Sequence, residues 1–296
     1  MLLIEFQSAA RMLAKIIRKS GLTACLAWAA AAPAAGLTNL FFLHHSTGSG
    51  LINGGMRDTV AAYNGAHGTA FAFWDHGYNG AGLTDPSGAA LGISYNVPND
   101  NTDPDGLYYL WTSTADDAAA CRNRILSNHE VISFKSCYPA SDISDADELA
   151  QYQAWYLAMR NVFDQFPQRL FVVMSTPPLH RLSTSPTAAN YARQFAAWLK
   201  SAAYLAGHDN LVCFDLFDYL AGADNMLKYE YEKSHSDGDS HPNTLANQTV
   251  GPIFADFLMA AALGYAADTN LAAPRNLTAS DGTYGDWVVL AWNAVA

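Results

Sequence analysis

Short runs of consecutive apolar residues alternate along the chain with longer stretches in which apolar side chains recur every three or four positions. This is the pattern of a parallel sheet assembled from strand–helix units. Asn39–His44 predicts a buried first strand and Gly50–Tyr63 the helix after it. Thr69–Asp75 predicts a second strand, Glu130–Phe134 a third, Leu170–Ser175 a fourth stopped by Pro177-Pro178, and Asn210–Leu216 a fifth. Between them, Asp147–Gln165 carries Leu149, Tyr152, Tyr156, Met159, Val162 and Phe163 at helical spacing, with acidic residues in its first turn that suit the helix dipole. Thr187–Leu205 and the apolar Leu245–Leu263 predict two further helices. Five strands separated by helices imply an α/β fold: a three-layer, flavodoxin-like, doubly wound parallel five-stranded sheet with helices on both faces.

Three segments depart from that rhythm. Residues 79–128 form a long insertion rich in Gly, Pro, Asn and Asp, read as loop, and long loops inside domains are commonly functional. Within it, Asn101-Thr102-Asp103-Pro104-Asp105-Gly106 spaces oxygen ligands as a calcium loop does, but Thr112 stands where the bidentate acid belongs, so the reading is a solvated turn cluster. After the last helix, Ala273–Tyr284 and Trp287–Trp292 alternate apolar and polar residues about a turn, predicting a short β tail. At the amino end, Arg11, Lys15, Arg18 and Lys19 precede the apolar Gly21–Ala32 and the small-residue run Pro33-Ala34-Ala35. That is the layout of a cleaved bacterial-type export signal over residues 1–35, implying a secreted or periplasmic protein with no membrane span once it is removed. Leu22-Thr23-Ala24-Cys25 has the look of a lipoprotein box, yet the apolar run follows the cysteine when it should precede it.

Charge narrows the partners. Asp and Glu number 27 against 16 Lys and Arg, a net charge of -11, so a phosphate backbone would be repelled and nucleic-acid binding is excluded as a working reading. Hydrophobic residues make up 50% of the 296, enough for one full-sized α/β core. Of Cys25, Cys121, Cys137 and Cys213, the first lies in the expected leader, leaving an odd number and room for one bridge at most.

Two places put reactive groups at the carboxyl ends of strands, where open α/β sheets present their sites. His44-His45-Ser46-Thr47-Gly48 follows strand one and opens a helix, a turn that can expose a serine hydroxyl and supply amide N–H groups to an oxyanion. Ser236-Asp237-Gly238-Asp239-Ser240-His241-Pro242-Asn243 precedes the last helix and offers a histidine base with carboxylates nearby.

Together these blocks resemble the SGNH/GDSL hydrolases over residues 37–268, and the tail, residues 269–296, resembles the start of a fibronectin type III module. The resemblance implies a secreted serine esterase that cleaves an acyl ester, an acetyl group first among them, on a small-molecule or polysaccharide substrate, through an acyl-enzyme and without a cofactor. It carries Ser46 over as nucleophile, His241 as base and Asp239 as its acid, with Asp237 the alternate because Gly238 takes the usual position. The oxyanion donors it implies are the Ser46 amide, the Gly80 amide with Gly82 as alternate, and Ser136 as the side-chain donor. The Gly-Asp that precedes the family's nucleophile is replaced by His44-His45, and its Gly-x-Asn-Asp by Lys135-Ser136-Cys137-Tyr138. The tight Asp-x-His is similar to that of SGNH-like alginate acetyltransferases, which leaves acyl transfer to a glycan open. Two other readings compete. His44, His45, His241 and Asp239 offer zinc-type ligands, although adjacent strand histidines point to opposite faces. A non-catalytic glycan binder would use Trp74, Tyr108, Tyr109 and Trp111 as a stacking surface.

Overall fold

The computed structural model describes residues 36–270, 275–279 and 290–293, so the leader expected over residues 1–35 lies outside the described residues. The central sheet contains β1 (Asn39–Leu43), β2 (Ala72–His76), β3 (Leu83–Thr84), β4 (Val131–Lys135), β5 (Leu170–Met174) and β6 (Leu211–Phe214). Their order is β3-β2-β1-β4-β5-β6, all parallel except the two-residue edge strand β3. Leaving out β3, the five parallel strands run in the flavodoxin-like order 2-1-3-4-5. All five were predicted from their apolar runs. β4 and β5 are buried at every position and β1 at all but Asn39, and strands buried on both faces read as continuous hydrophobic stretches; β2 and β6 are partly exposed.

Alternation along each strand sends its side chains to two cores. Phe41, Leu43, Ile132, Phe134, Phe171 and Val173 face one side, against α3 (Pro104–Thr112), α4 (Asp116–Asn128), α5 (Ala146–Phe163) and α6 (Pro186–Leu199). Leu40, Phe42, Val131, Leu170, Val172 and Met174 face the other, against α1 (Ser46–Leu51), α2 (Arg57–His67), α8 (Leu216–Leu220) and α9 (Thr244–Asn270). The short α7 (Ala202–Leu205) follows α6.

The insertion is more ordered than its composition suggests. It contains β3, α3 and α4, and the helices start where local chemistry permits: Pro104 occupies the first turn of α3, and Asp116 and Asp117 lie in the first turn of α4. The stretch read as a solvated turn cluster is the entry to α3, where the Asn101 side chain accepts from the Asp103 amide at 2.8 Å and Thr102 is buried. Trp111 is only 1% exposed and packs edge-on to Phe163 and Phe171, so it belongs to the core and not to a stacking surface. Cys121, Cys137 and Cys213 are unpaired. In the tail, β7 (Arg275–Ala279) and β8 (Leu290–Asn293) pair antiparallel, and the turn between them lies outside the described residues.

Thr244–Ala266 of α9 is long and apolar enough to cross a membrane by length and composition. Its apolar character serves the core instead, for Ala246, Val250, Phe254, Leu258 and Met259 are buried in the second cluster. Near its own start α9 crosses the end of α1 at very short range. There α1 passes through a π-type turn, Ile52–Met56, in which Gly55 has a positive φ of 117°. A Cβ on Gly251 would lie 2.3 Å from the Leu51 carbonyl oxygen, and one on Gly54 would lie 2.1 Å from that of Asn247. Backbone meets backbone at both positions, so neither contact can be relieved by a side-chain rotation. Gly251→Ala is therefore expected to lower unfolding free energy by about 1–3 kcal/mol, the usual cost of overpacking. Urea unfolding of the two proteins checks this, and an unchanged midpoint would contradict the close crossing.

Candidate active site

β1 and β4 are neighbours whose chains leave the sheet toward helices on opposite faces, and the crevice outside their carboxyl ends is the expected site of such a fold. His45, extended at φ -121° and ψ -153°, stands at the N-cap of α1 with no side-chain cap bond, and Ser46 is the first residue of the helix. The first amides of α1 thus have no intrahelical acceptor and no cap, and they form a patch of donors beside the Ser46 hydroxyl.

The loop before α9 reaches the same place. His241 Nε2 lies 2.8 Å from Ser46 Oγ across 195 positions of sequence, and His241 Nδ1 lies 2.6 Å from Asp239 Oδ1. The same carboxylate oxygen accepts the His241 amide at 2.9 Å. Since a carboxylate can only accept, Nδ1 carries the proton and Nε2 is left bare to accept from the serine hydroxyl. Burial alone would raise the Asp239 carboxyl, but hydrogen bonds from the His241 amide and ring, aided by Lys233 at 3.6 Å, outweigh it and hold it below the ordinary carboxylate range. Asp237 does not compete for the histidine: its Oδ1 accepts from the Asp239 amide at 3.0 Å.

The other sequence-predicted residues divide. Gly80 is exposed on the tight turn after β2, which is held beside His45, the neighbour of Ser46, by Tyr78, whose ring stacks on His45 at 3.8 Å. The Gly82 amide is already committed to the Tyr78 carbonyl at 2.8 Å, which removes it as an oxyanion donor. Ser136 is not at the site. It is fully buried, and its hydroxyl pairs with Tyr156 at 2.9 Å inside the core. The pleat carries it away from the crevice, and the residues of that block that reach the site are Cys137 and Tyr138. Cys137 Sγ lies 3.4 Å from His45 Nδ1, and the Tyr138 ring meets His241 edge-on at 4.7 Å. Neither was singled out in the sequence; a position just beyond a strand end was the available signal, and it was spent on Ser136.

The two histidines before Ser46 diverge, and no group of three His, Cys, Asp or Glu side chains that could hold a metal ion occurs among the described residues. His45 is 4% exposed, and burial, opposed by Asp100 and assisted by Lys135, pushes its ring down to about 4, so it is neutral at pH 7. His44, equally buried, points under α1, with Nε2 at 3.1 Å from Asp75 Oδ2 and Nδ1 at 2.9 Å from the His45 carbonyl oxygen. Arg57 pairs with the other oxygen of Asp75 and donates to the Phe73 and Asp85 carbonyls at 2.8 Å each.

The loop bearing Asp239 and His241 is itself anchored. Glu232, with its side chain fully enclosed, meets His235 at 2.7 Å, His180 at 3.1 Å and Arg181 at 3.1 Å. The Glu232 carbonyl accepts from Asn243, the Ser240 hydroxyl accepts the His180 amide at 2.9 Å, and Ser183 donates to the Gly238 carbonyl.

No protein-family model matches the chain, and no curated protein matches it. Solved structures that it resembles in architecture include a provisionally named platelet activating factor from Streptococcus pneumonia, at 12% identity and TM-score 0.45, covering 76% of this chain and 86% of that one. A provisionally named acylhydrolase from Bacteroides fragilis has 11% identity and TM-score 0.45, with 77% and 89% covered. A GDSL-like lipase from Bacteroides thetaiotaomicron has 8% identity and TM-score 0.38, with 76% and 89% covered.

The Glu232 anchor has a pH signature. Burial works to raise this carboxyl, but His235, His180 and Arg181 together hold it below its ordinary value of 4.5. A carboxyl lowered by folding adds stability that is fully present above its unfolded value and is lost as pH falls through the folded one. Urea midpoints measured from pH 7 to pH 3 should therefore fall more steeply below about 4.5 in the wild type than in Glu232→Gln. Parallel profiles would show that this carboxylate carries no linkage.

Proposed function

We propose that the protein is a serine esterase of SGNH type. The observation that carries this reading is the unbroken relay Ser46 Oγ, His241 Nε2, His241 Nδ1, Asp239 Oδ1, with links of 2.8 and 2.6 Å. His241 takes the hydroxyl proton as Ser46 attacks an ester carbonyl, while Asp239 holds the tautomer and stabilises the imidazolium that forms. The tetrahedral oxyanion is stabilised by the amide N–H of Ser46 and that of Gly80. His241 then protonates the departing alcohol. Water, or a sugar hydroxyl if the reaction is transfer, attacks the acyl-enzyme with His241 again as base.

What supports a polar alcohol is the surface beside Asp239. A cleft of about 340 Å³ is lined by Tyr138, Pro139, Asp142, Leu179, Ser183, Gly238, Asp239 and Ser240, which offers hydroxyls, a carboxylate and an aromatic face to a hydroxylated partner. The His241 and Asp239 side chains are 25% and 37% exposed, so the bond to be cleaved can belong to a large molecule lying on the surface. With the export signal expected in the first 35 residues, an acetylated polysaccharide outside the cytoplasm is the substrate class we favour.

Ser46→Ala should abolish labelling by a fluorophosphonate probe and lower kcat for p-nitrophenyl acetate by at least about 10³-fold, and Asp239→Asn should cost about 10⁴-fold. Folded wild-type protein that neither labels nor hydrolyses any ester would favour the glycan-binding alternative.

A further inference from the structure

The relay accounts for the proton but not for the buried His44–Asp75–Arg57 network directly beneath the nucleophile. His44 is fixed on every side. Its amide donates to the His76 carbonyl at 3.0 Å, its ring lies 5.1 Å from that of Phe42, and a Cβ on Gly48 would lie 2.3 Å from His44 Cβ. The first turn of α1 is therefore laid onto this side chain.

Its ring nitrogens face the His45 carbonyl oxygen on one side and a carboxylate paired with Arg57 on the other. The Ser49 hydroxyl lies 3.5 Å from Nδ1, but the His45 carbonyl oxygen is nearer at 2.9 Å and can only accept, so the proton is assigned to Nδ1. The Nδ1–H bond matters for chemistry because of the peptide it touches. The His45 carbonyl belongs to the same peptide unit as the Ser46 N–H, and it accepts a second bond from the Ser49 amide at 3.0 Å. Two donors on the oxygen of a peptide group draw electron density away from its nitrogen and make the N–H a stronger donor, since bonded amides polarise one another. They also fix the plane of that peptide, and hence the direction of the N–H.

We propose that His44 is a positioning residue for the oxyanion donor: held by Asp75 and Arg57, its Nδ1–H clamps and polarises the His45–Ser46 peptide so that the Ser46 N–H is aimed at the developing oxyanion. This rests on the reading of Ser46 as nucleophile, and it assigns a reason for the His44 that stands two residues before it. His44 never touches substrate; it acts through one peptide group. A group that acts only on oxyanion stabilisation changes the transition state and leaves ground-state binding alone.

The test uses the full chain and three variants that separate the two ring nitrogens. His44→Asn keeps a donor near the Nδ1 position, His44→Gln keeps one near Nε2, and His44→Phe keeps neither. With p-nitrophenyl acetate, Gln and Phe should lower kcat by about tenfold or more at unchanged KM, a fraction of the loss seen when an oxyanion donor is removed outright. Their affinity for phenylboronic acid, which forms a tetrahedral adduct with the serine, should fall by a similar factor. Asn should stay within about threefold of wild type in both. Wild-type kcat in Gln and Phe, or equal losses in Asn and Phe, would overturn the proposal. Should the variants not fold, ¹⁵N spectra of the wild type decide: His44 Nδ1 should bear a proton in the free and boronate-bound protein, and a bare Nδ1 would overturn it. If Ser46→Ala retains hydrolysis, the nucleophile assignment fails instead, which is a separate result.

Discussion

The hydrogen bond between His241 and Ser46 joins positions 195 apart, and the candidate site depends on the backbone arrangement that makes it possible. β1 lies in the middle of the sheet, so the turn after it opens into the crevice where α1 starts. α9 returns across α1 with Gly251 against the Leu51 carbonyl and Gly54 against that of Asn247, and this crossing brings the loop that precedes α9 over the same crevice. Larger residues at these two points would push α9 outward and carry the imidazole away from the hydroxyl.

Histidines crowd the carboxyl end of the sheet, and three of them, His241, His45 and His44, have environments that differ in a way that suits different tasks. His241 is partly exposed and has a bare Nε2 toward Ser46. His45 is buried and neutral, and serves as the platform on which Tyr78 stacks. His44 is tied to a carboxylate and a carbonyl under the helix. The same side chain thus provides an acceptor toward a hydroxyl, an apolar face and a structural donor, according to what each ring nitrogen meets. The loop before α9 adds a fourth arrangement: Glu232 is enclosed, yet three cationic or donor groups converge on it, so that burying a charge becomes a means of holding Asp239 and His241 in register.

Much of the frame was legible along the chain. The five parallel strands were legible because both-face burial leaves unbroken apolar runs such as Leu40-Phe41-Phe42-Leu43 and Leu170-Phe171-Val172-Val173-Met174. Ser46, Asp239 and His241 were legible because each stands in a short polar block at the end of a strand or the start of a helix. The insertion was misread as loop since α3 and α4 are short and begin among the Pro, Asn and Asp residues that usually mark turns; what makes them helices is the packing of Leu107, Leu110, Trp111 and Ile125 on the sheet. Ser136 was misjudged for a related reason. One residue of pleat decides whether a side chain at a strand end enters the crevice or the core, and no local pattern encodes that choice.

By itself the sequence determined the alternation of strands and helices, the separation of two apolar faces and the chemical identity of the groups available for reaction, because burial and helix entry leave periodic, local marks. Which groups meet was decided only by tertiary structure. Asp239 rather than Asp237 holds the imidazole, Tyr138 rather than Ser136 borders it, and His44 lies under the helix that Ser46 opens, because these are distances between residues brought together by packing, and a distance across the fold leaves no period in the chain.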